Sequence, residues 1–122
     1  MKFRINSFIL KPSNKFFYPN QEPMIKHVVM WRFEKSDPDL FHAAREEVRK
    51  LLEGLPGTIS DIQSLEIGMN INSSSVAYDM VLITTHIDQI ALKNYQEHPD
   101  HQAAARQIGK LAIERVVVDF EY

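Results

Sequence analysis

Residues 25–33 read IKHVVMWRF. Their β-branched and aromatic content is that of a strand. Successive side chains of a strand point to opposite faces. Ile25, His27, Val29, Trp31 and Phe33 therefore share one face, and Lys26, Val28, Met30 and Arg32 share the other. The stretch YDMVLITT at 78–85 repeats the arrangement, with Met80, Leu82 and Thr84 opposed to Val81 and Ile83. Both faces of a sheet built on these strands are apolar at the middle. A sheet left bare on an apolar face is an association surface. The expected solution is a two-fold homodimer with the sheets face to face. The other solution is that the amino-terminal segment covers the second face.

The flanking sequence supplies the remaining elements. Asp37 caps, and Pro38 opens, a helix whose stripe is Phe41, Ala44, Val48, Leu51 and Leu55. Gly54 and Pro56-Gly57 end it. A second strand spans 62–69, followed by the polar loop NINSSSV at 70–76. After the third strand Asp88 caps a short helix through Tyr95. The residue before a proline resists the helical conformation, so a break is expected near His98. Pro99 then opens a longer helix with the stripe Ala104, Ile108 and Leu111, and RVVVDF at 115–120 closes as a strand. The order β-α-β-β-α-β is the split βαβ, or ferredoxin-like, arrangement. The fold class is α+β, a four-stranded antiparallel sheet with helices on one face, dimerising into an α/β barrel.

A chain of 122 residues is one domain with room for a real core. A net charge of −2 without a basic stripe argues against nucleic acid as a partner. The absence of cysteine removes disulfides, thiolate metal sites and cysteine nucleophiles, and fits a cytoplasmic location. No apolar run approaches the roughly 18 residues of a membrane span, and the amino terminus lacks the apolar core of an export signal. Residues 1–23 show no sustained periodicity, and a regular pattern begins at Met24. The expected division is a peripheral extension over 1–23 and one domain over 24–122.

Chemistry concentrates at 95–101, YQEHPDH. His101 belongs to the first turn of the helix begun by Pro99, where the partial positive charge of a helix amino terminus disfavours the imidazolium form. A neutral His101 is a general base. The Tyr95 phenol is a donor to a developing enolate or alkoxide. His27 stands on the strand face assigned to the helices. Trp31, Phe33, Met80, Leu82 and His98 are the expected lining of a pocket that these three residues serve. A mostly apolar pocket with a few convergent polar groups is the usual form of a small-molecule site. The same residues also admit structural roles: His27 as a hydrogen-bonded core residue, Tyr95 as a core aromatic, His98 as a helix cap. His98 and His101 are three apart, but the proline break scatters them and no third ligand is obvious, so no metal is expected. No cofactor is expected either.

The ordered set MIKHVVMWRF, LPG, IGMN, YDMVLI and YQEHPDH resembles the stress-responsive α/β-barrel, or Dabb, family from Met24 to Glu121. The resemblance implies a dimeric barrel of two ferredoxin-like subunits. Members include plant stress-responsive proteins and a plant polyketide cyclase that closes a ring by aldol condensation. In that cyclase a histidine matching His27, a tyrosine matching Tyr95 and a histidine matching His101 lie around the pocket, and a further histidine aligns with Met80. The leading expectation is a homodimeric binder of a small apolar or aromatic molecule, with cyclase-like or isomerase-like acid/base chemistry. The alternatives are a non-catalytic stress or binding module, and a cofactor-free monooxygenase of the dimeric α/β-barrel type.

Overall fold

A computed structural model describes residues 23–122. The expected extension over 1–23 lies outside the described residues except for Pro23. Strand β1 is Ile25–Phe33, α1 is Pro38–Glu53, β2 is Ser64–Met69, β3 is Met80–His86, α2 is Gln89–Glu97, α3 is Pro99–Leu111 and β4 is Ala112–Glu121. The sheet order is β2-β3-β1-β4 and every pairing is antiparallel. The ferredoxin-like α+β arrangement is thus confirmed.

Helix starts follow local chemistry. The Asp37 carboxylate accepts from the backbone N–H groups of Asp39 and Leu40, and Asp88 accepts from that of Ala91. His98 adopts an extended backbone, with φ −63° and ψ 136°, and so separates α2 from α3. Three strands differ from expectation in their extent. Strand β2 begins at Ser64, because Thr58, Ile59 and Ile62 bond back into the turn that follows α1. Strand β3 begins two residues late, at Met80, because the Asp79 N–H turns to the Trp31 carbonyl. Strand β4 spans ten residues rather than six, because β1 offers it a partner along its full length.

The core lies between one sheet face and the helices. Ile25, His27, Val29, Trp31 and Phe33 of β1 are buried, as are Met80, Leu82, Thr84 and His86 of β3. Helix α1 contributes Val48 and Leu52, α2 contributes Leu92 and Tyr95, and α3 contributes Ala104 and Ile108. On α1, Leu52 is buried more deeply than Leu51, which packs at the core margin. Among the described residues, no helix covers the opposite sheet face. There Met30, Val116, Val118 and Phe120 are exposed, and Val28, Val81 and Ile83 are half-buried. Gly68 faces Val81 on this side. A Cβ at position 68 would approach the Val81 side chain to 2.9 Å.

Phe33 anchors the end of β1 at 1% exposure, with its N–H donating to the buried Asp79 carboxylate at 2.8 Å. Phe33→Ala should cost about 3–5 kcal/mol of unfolding free energy. Leu40→Ala, at a position 68% exposed, should stay within about 0.5 kcal/mol of the parent. Urea denaturation of the two variants measures both.

Candidate functional site

Strand pleat, strand pairing and the α2–α3 break bring four rings together. His27 and His86 come from the inward rows of β1 and β3. Tyr95 comes from the last turns of α2 and His101 from the first turn of α3. The Tyr95 ring centroid lies 4.5 Å from that of His101, 4.9 Å from His86 and 5.9 Å from His27. A cavity of about 300 Å³ opens beside this cluster, at the lower end of the range for small-molecule sites. His27, Tyr95 and His101 lie on its wall. Val29, Trp31, Leu82 and Ile108 make the apolar part, and β4 adds Glu114 and Arg115.

The polar atoms have distinct tasks. His27 is buried, and its Nδ1 donates to the Asp119 carboxylate at 2.5 Å. The two residues are direct cross-strand partners of β1 and β4, so the sheet register itself sets this contact. It leaves Nε2 as the other polar atom of a ring on the cavity wall. His86 Nδ1 donates to the Asp61 carbonyl at 2.8 Å, and its Nε2 is 2.8 Å from the Thr84 hydroxyl. A carbonyl oxygen only accepts, which fixes the proton on Nδ1 and makes Thr84 the donor to Nε2 of the neutral ring. His86 is thereby a support beneath Tyr95. His101 Nδ1 donates to the Gln96 carbonyl at 3.0 Å. In the neutral ring Nε2 then carries the lone pair.

Burial holds the His101 imidazole below its ordinary range. The bond to Gln96 opposes this, and the neighbouring His27, Arg115 and His98 add to it. The expected direction is present, but desolvation rather than the helix end is its main cause. Burial also lowers His86, against the Asp61 hydrogen bond. Burial pushes the Tyr95 phenol up to about 12, with Arg115 pulling the other way. The Tyr95 hydroxyl is buried without a hydrogen-bond partner among the described residues. Such a group ordinarily costs roughly 1–3 kcal/mol. A protonated phenol and a neutral imidazole side by side are a donor and a base in contact with one cavity.

His27, Tyr95, His101, Trp31 and Leu82 line the cavity. Phe33, Met80 and His98, also expected there, do not. The cavity opens over the β1–β4 side of the sheet, and Met80 and Phe33 are packed into the core with 2% and 1% exposure. His98 is the amino-terminal cap of α3, its Nδ1 accepting from the Asp100 N–H at 3.0 Å. Sequence reasoning missed His86, Asp119 and Arg115. The inward row 80, 82, 84 points to His86 as its next member, and the β1–β4 register would have found Asp119. No group of three metal-ligating side chains converges among the described residues.

Fold and site define a ferredoxin-like domain with a small open cavity between sheet and helices. The chain belongs to the stress responsive A/B barrel domain (Dabb) family, whose model matches residues 25–122. It is 32% identical over 104 residues to an uncharacterised protein of Streptomyces coelicolor, covering 81% of this chain and all of that one. It is similar to a crystal structure described as a dimeric protein of unknown function and ferredoxin-like fold from Bacteroides fragilis. There the identity is 27%, the TM-score 0.72, and the coverage 81% of this chain and 96% of that one. A hydroxynitrile lyase from Passiflora edulis superposes with a TM-score of 0.71 at 10% identity, over 82% of this chain and 94% of that chain, and shares the fold alone. None of the described helices is long and apolar enough to cross a membrane.

The lowered histidines make stability depend on pH. His86 and His101 bind protons less readily folded than unfolded, so acid favours the unfolded state. Stability should be flat above about pH 6.5, the unfolded value, and should fall as pH drops through that value towards the folded ones. Urea midpoints between pH 8 and 5 measure the slope, and His101→Gln should reduce it.

Proposed function

We propose that this chain is a homodimeric small-molecule-binding protein whose cavity carries out cofactor-free acid/base chemistry. The buried Tyr95 hydroxyl, without a hydrogen-bond partner among the described residues and beside the His101 ring on the wall of a mostly apolar cavity, carries the reading. In this reading the His101 Nε2 takes a proton from carbon next to a carbonyl. The Tyr95 hydroxyl donates to the oxygen as it becomes an enolate, and the apolar walls hold a flat or aromatic body. His27, fixed by Asp119, supplies a second polar contact from its Nε2. Isomerisation and ring closure share this first step, so both fall within the reading. A cytoplasmic place agrees with the absence of cysteine.

General-base removal contributes typically 10²–10⁴-fold, and loss of a donor to the developing oxyanion about 10²–10³-fold. A panel of cyclic 1,3-diketones and aryl ketones in deuterated water gives a direct measure. Deuterium should enter next to the carbonyl faster with the protein than without it. His101→Gln should lower the accelerated rate at least about 100-fold. Tyr95→Phe should lower it while leaving the urea midpoint unchanged or raised, because the lost hydroxyl has no partner to strand. No acceleration with any ketone of the panel, alongside tight binding of one of them, would give the lead to a non-catalytic binding module.

The dimer reading rests on the bare sheet face, where Met30, Val116, Val118 and Phe120 are exposed together. An apolar patch of this kind marks an association site, and the Bacteroides fragilis relative is described as dimeric. The outer faces of two copies would pack together and close an α/β barrel. Val81→Lys with Val118→Lys should convert a dimer to a monomer in sedimentation velocity. A monomeric parent chain would overturn the reading.

A further inference from the structure

The cavity beside Tyr95 and His101 has a floor and a mouth of different character. His27, Trp31, Leu82, Tyr95 and Ile108 on its wall are buried. Ala105, Gly109, Ile113 and Arg115, on the same wall, are exposed. The mouth therefore lies between α3 and the start of β4. Helix α3 leaves room there, since a Cβ at Gly109 would meet nothing within 4 Å.

We infer that the small molecule taken by this cavity carries a carboxylate, held at the mouth by the Arg115 guanidinium, while its carbonyl end reaches Tyr95 and His101. This rests on the small-molecule reading of the cavity and names the class of molecule. Arg115 and Asp119 are four apart on β4, an even step, so their side chains share a face. Asp119 bonds to His27, which fixes that face as the inner one. Arg115 is the cross-strand partner of Trp31, itself buried on the cavity wall. No other Lys or Arg lines the cavity among the described residues. The Arg115 guanidinium has no ion pair or hydrogen bond among them. The nearby carboxylates are engaged elsewhere, Glu114 with Arg32 and Asp119 with His27. The cavity thus presents a cation without a counter-anion. Its charge reaches the chemistry: beside the dominant effect of burial, Arg115 pulls down both the Tyr95 phenol and the His101 imidazole. A guanidinium is a planar fork that matches a carboxylate bidentately. A single guanidinium balances a single negative charge, which favours a carboxylate over a phosphate dianion.

The test uses the full-length chain with 2-, 3- and 4-acetylbenzoate, each beside its neutral acetylbenzamide. Calorimetry should show at least one acid binding about tenfold more tightly than its amide, the scale of a charge-assisted hydrogen bond. In Arg115→Gln that preference should vanish, and Arg115→Lys should keep part of it. Lys110→Gln removes an exposed cation that does not line the cavity and should leave the preference as in the parent. The inference is overturned if no acid binds more tightly than its amide. It is equally overturned by a preference that survives Arg115→Gln or is lost in Lys110→Gln. Deuterium exchange at the acetyl methyl separates this outcome from that of the acid/base reading. An Arg115-dependent preference without accelerated exchange supports the carboxylate and counts against the chemistry. Accelerated exchange with equal affinity for acid and amide supports the chemistry and overturns the carboxylate.

Discussion

The pleat of β1 forces an imidazole into an apolar row. His27 alternates with Ile25, Val29 and Trp31, and the period of two gives it no other place. A buried polar ring needs partners, and the neighbouring elements supply them. Strand β4 brings Asp119 directly opposite, α2 lays Tyr95 across the ring, and β3 adds His86. The polar cluster is therefore a consequence of one strand position, built outward from the central strand to an edge strand and a helix.

The helices contribute through a discontinuity. One continuous helix across 89–111 would carry Tyr95 and His101 six residues apart, on different faces. The extended backbone of His98 breaks the path and lets their ring centroids approach to 4.5 Å. The break is stabilised by the residue that makes it: the His98 side chain caps the helix that starts after it. The Gln96 carbonyl, in the last turn of α2, accepts from His101 and joins the two helices across the gap. A proline, a cap and one side-chain bond thus set the geometry of donor and base.

Much of this was legible in the sequence, for specific reasons. Strand β1 was read to the residue because β-branched and aromatic residues recur along its length from Ile25 to Phe33, and the charged Glu34 follows. Asp37-Pro38 and His98-Pro99 announced two helix starts because proline and capping side chains act locally. The strand ends were less legible. Ile62 is apolar like a strand residue, yet its N–H is used by a turn, and β4 extends as far as β1 can pair with it. The candidate site shows the same division. Tyr95 and His101 share a local motif and were found together. Asp119 and Arg115 reach the site only through β1–β4 pairing across more than eighty residues, which periodicity within one strand does not encode. Met80 and Phe33 share the inward row with Trp31 and Leu82, but alternation gives the face and not the position along it.

Strand β1 is written on both sides. Its odd-numbered residues from 25 to 33 belong to the core and cavity, and the even-numbered ones between them belong to the bare face. The two sets cannot be edited separately by insertion or deletion. Sliding the strand by a single residue would carry His27 onto the outer face and bring Lys26 and Val28 under the helices. Point substitutions can retune either side alone, whereas any change of length scrambles both at once. In this strand, length rather than composition is the quantity that selection must hold fixed.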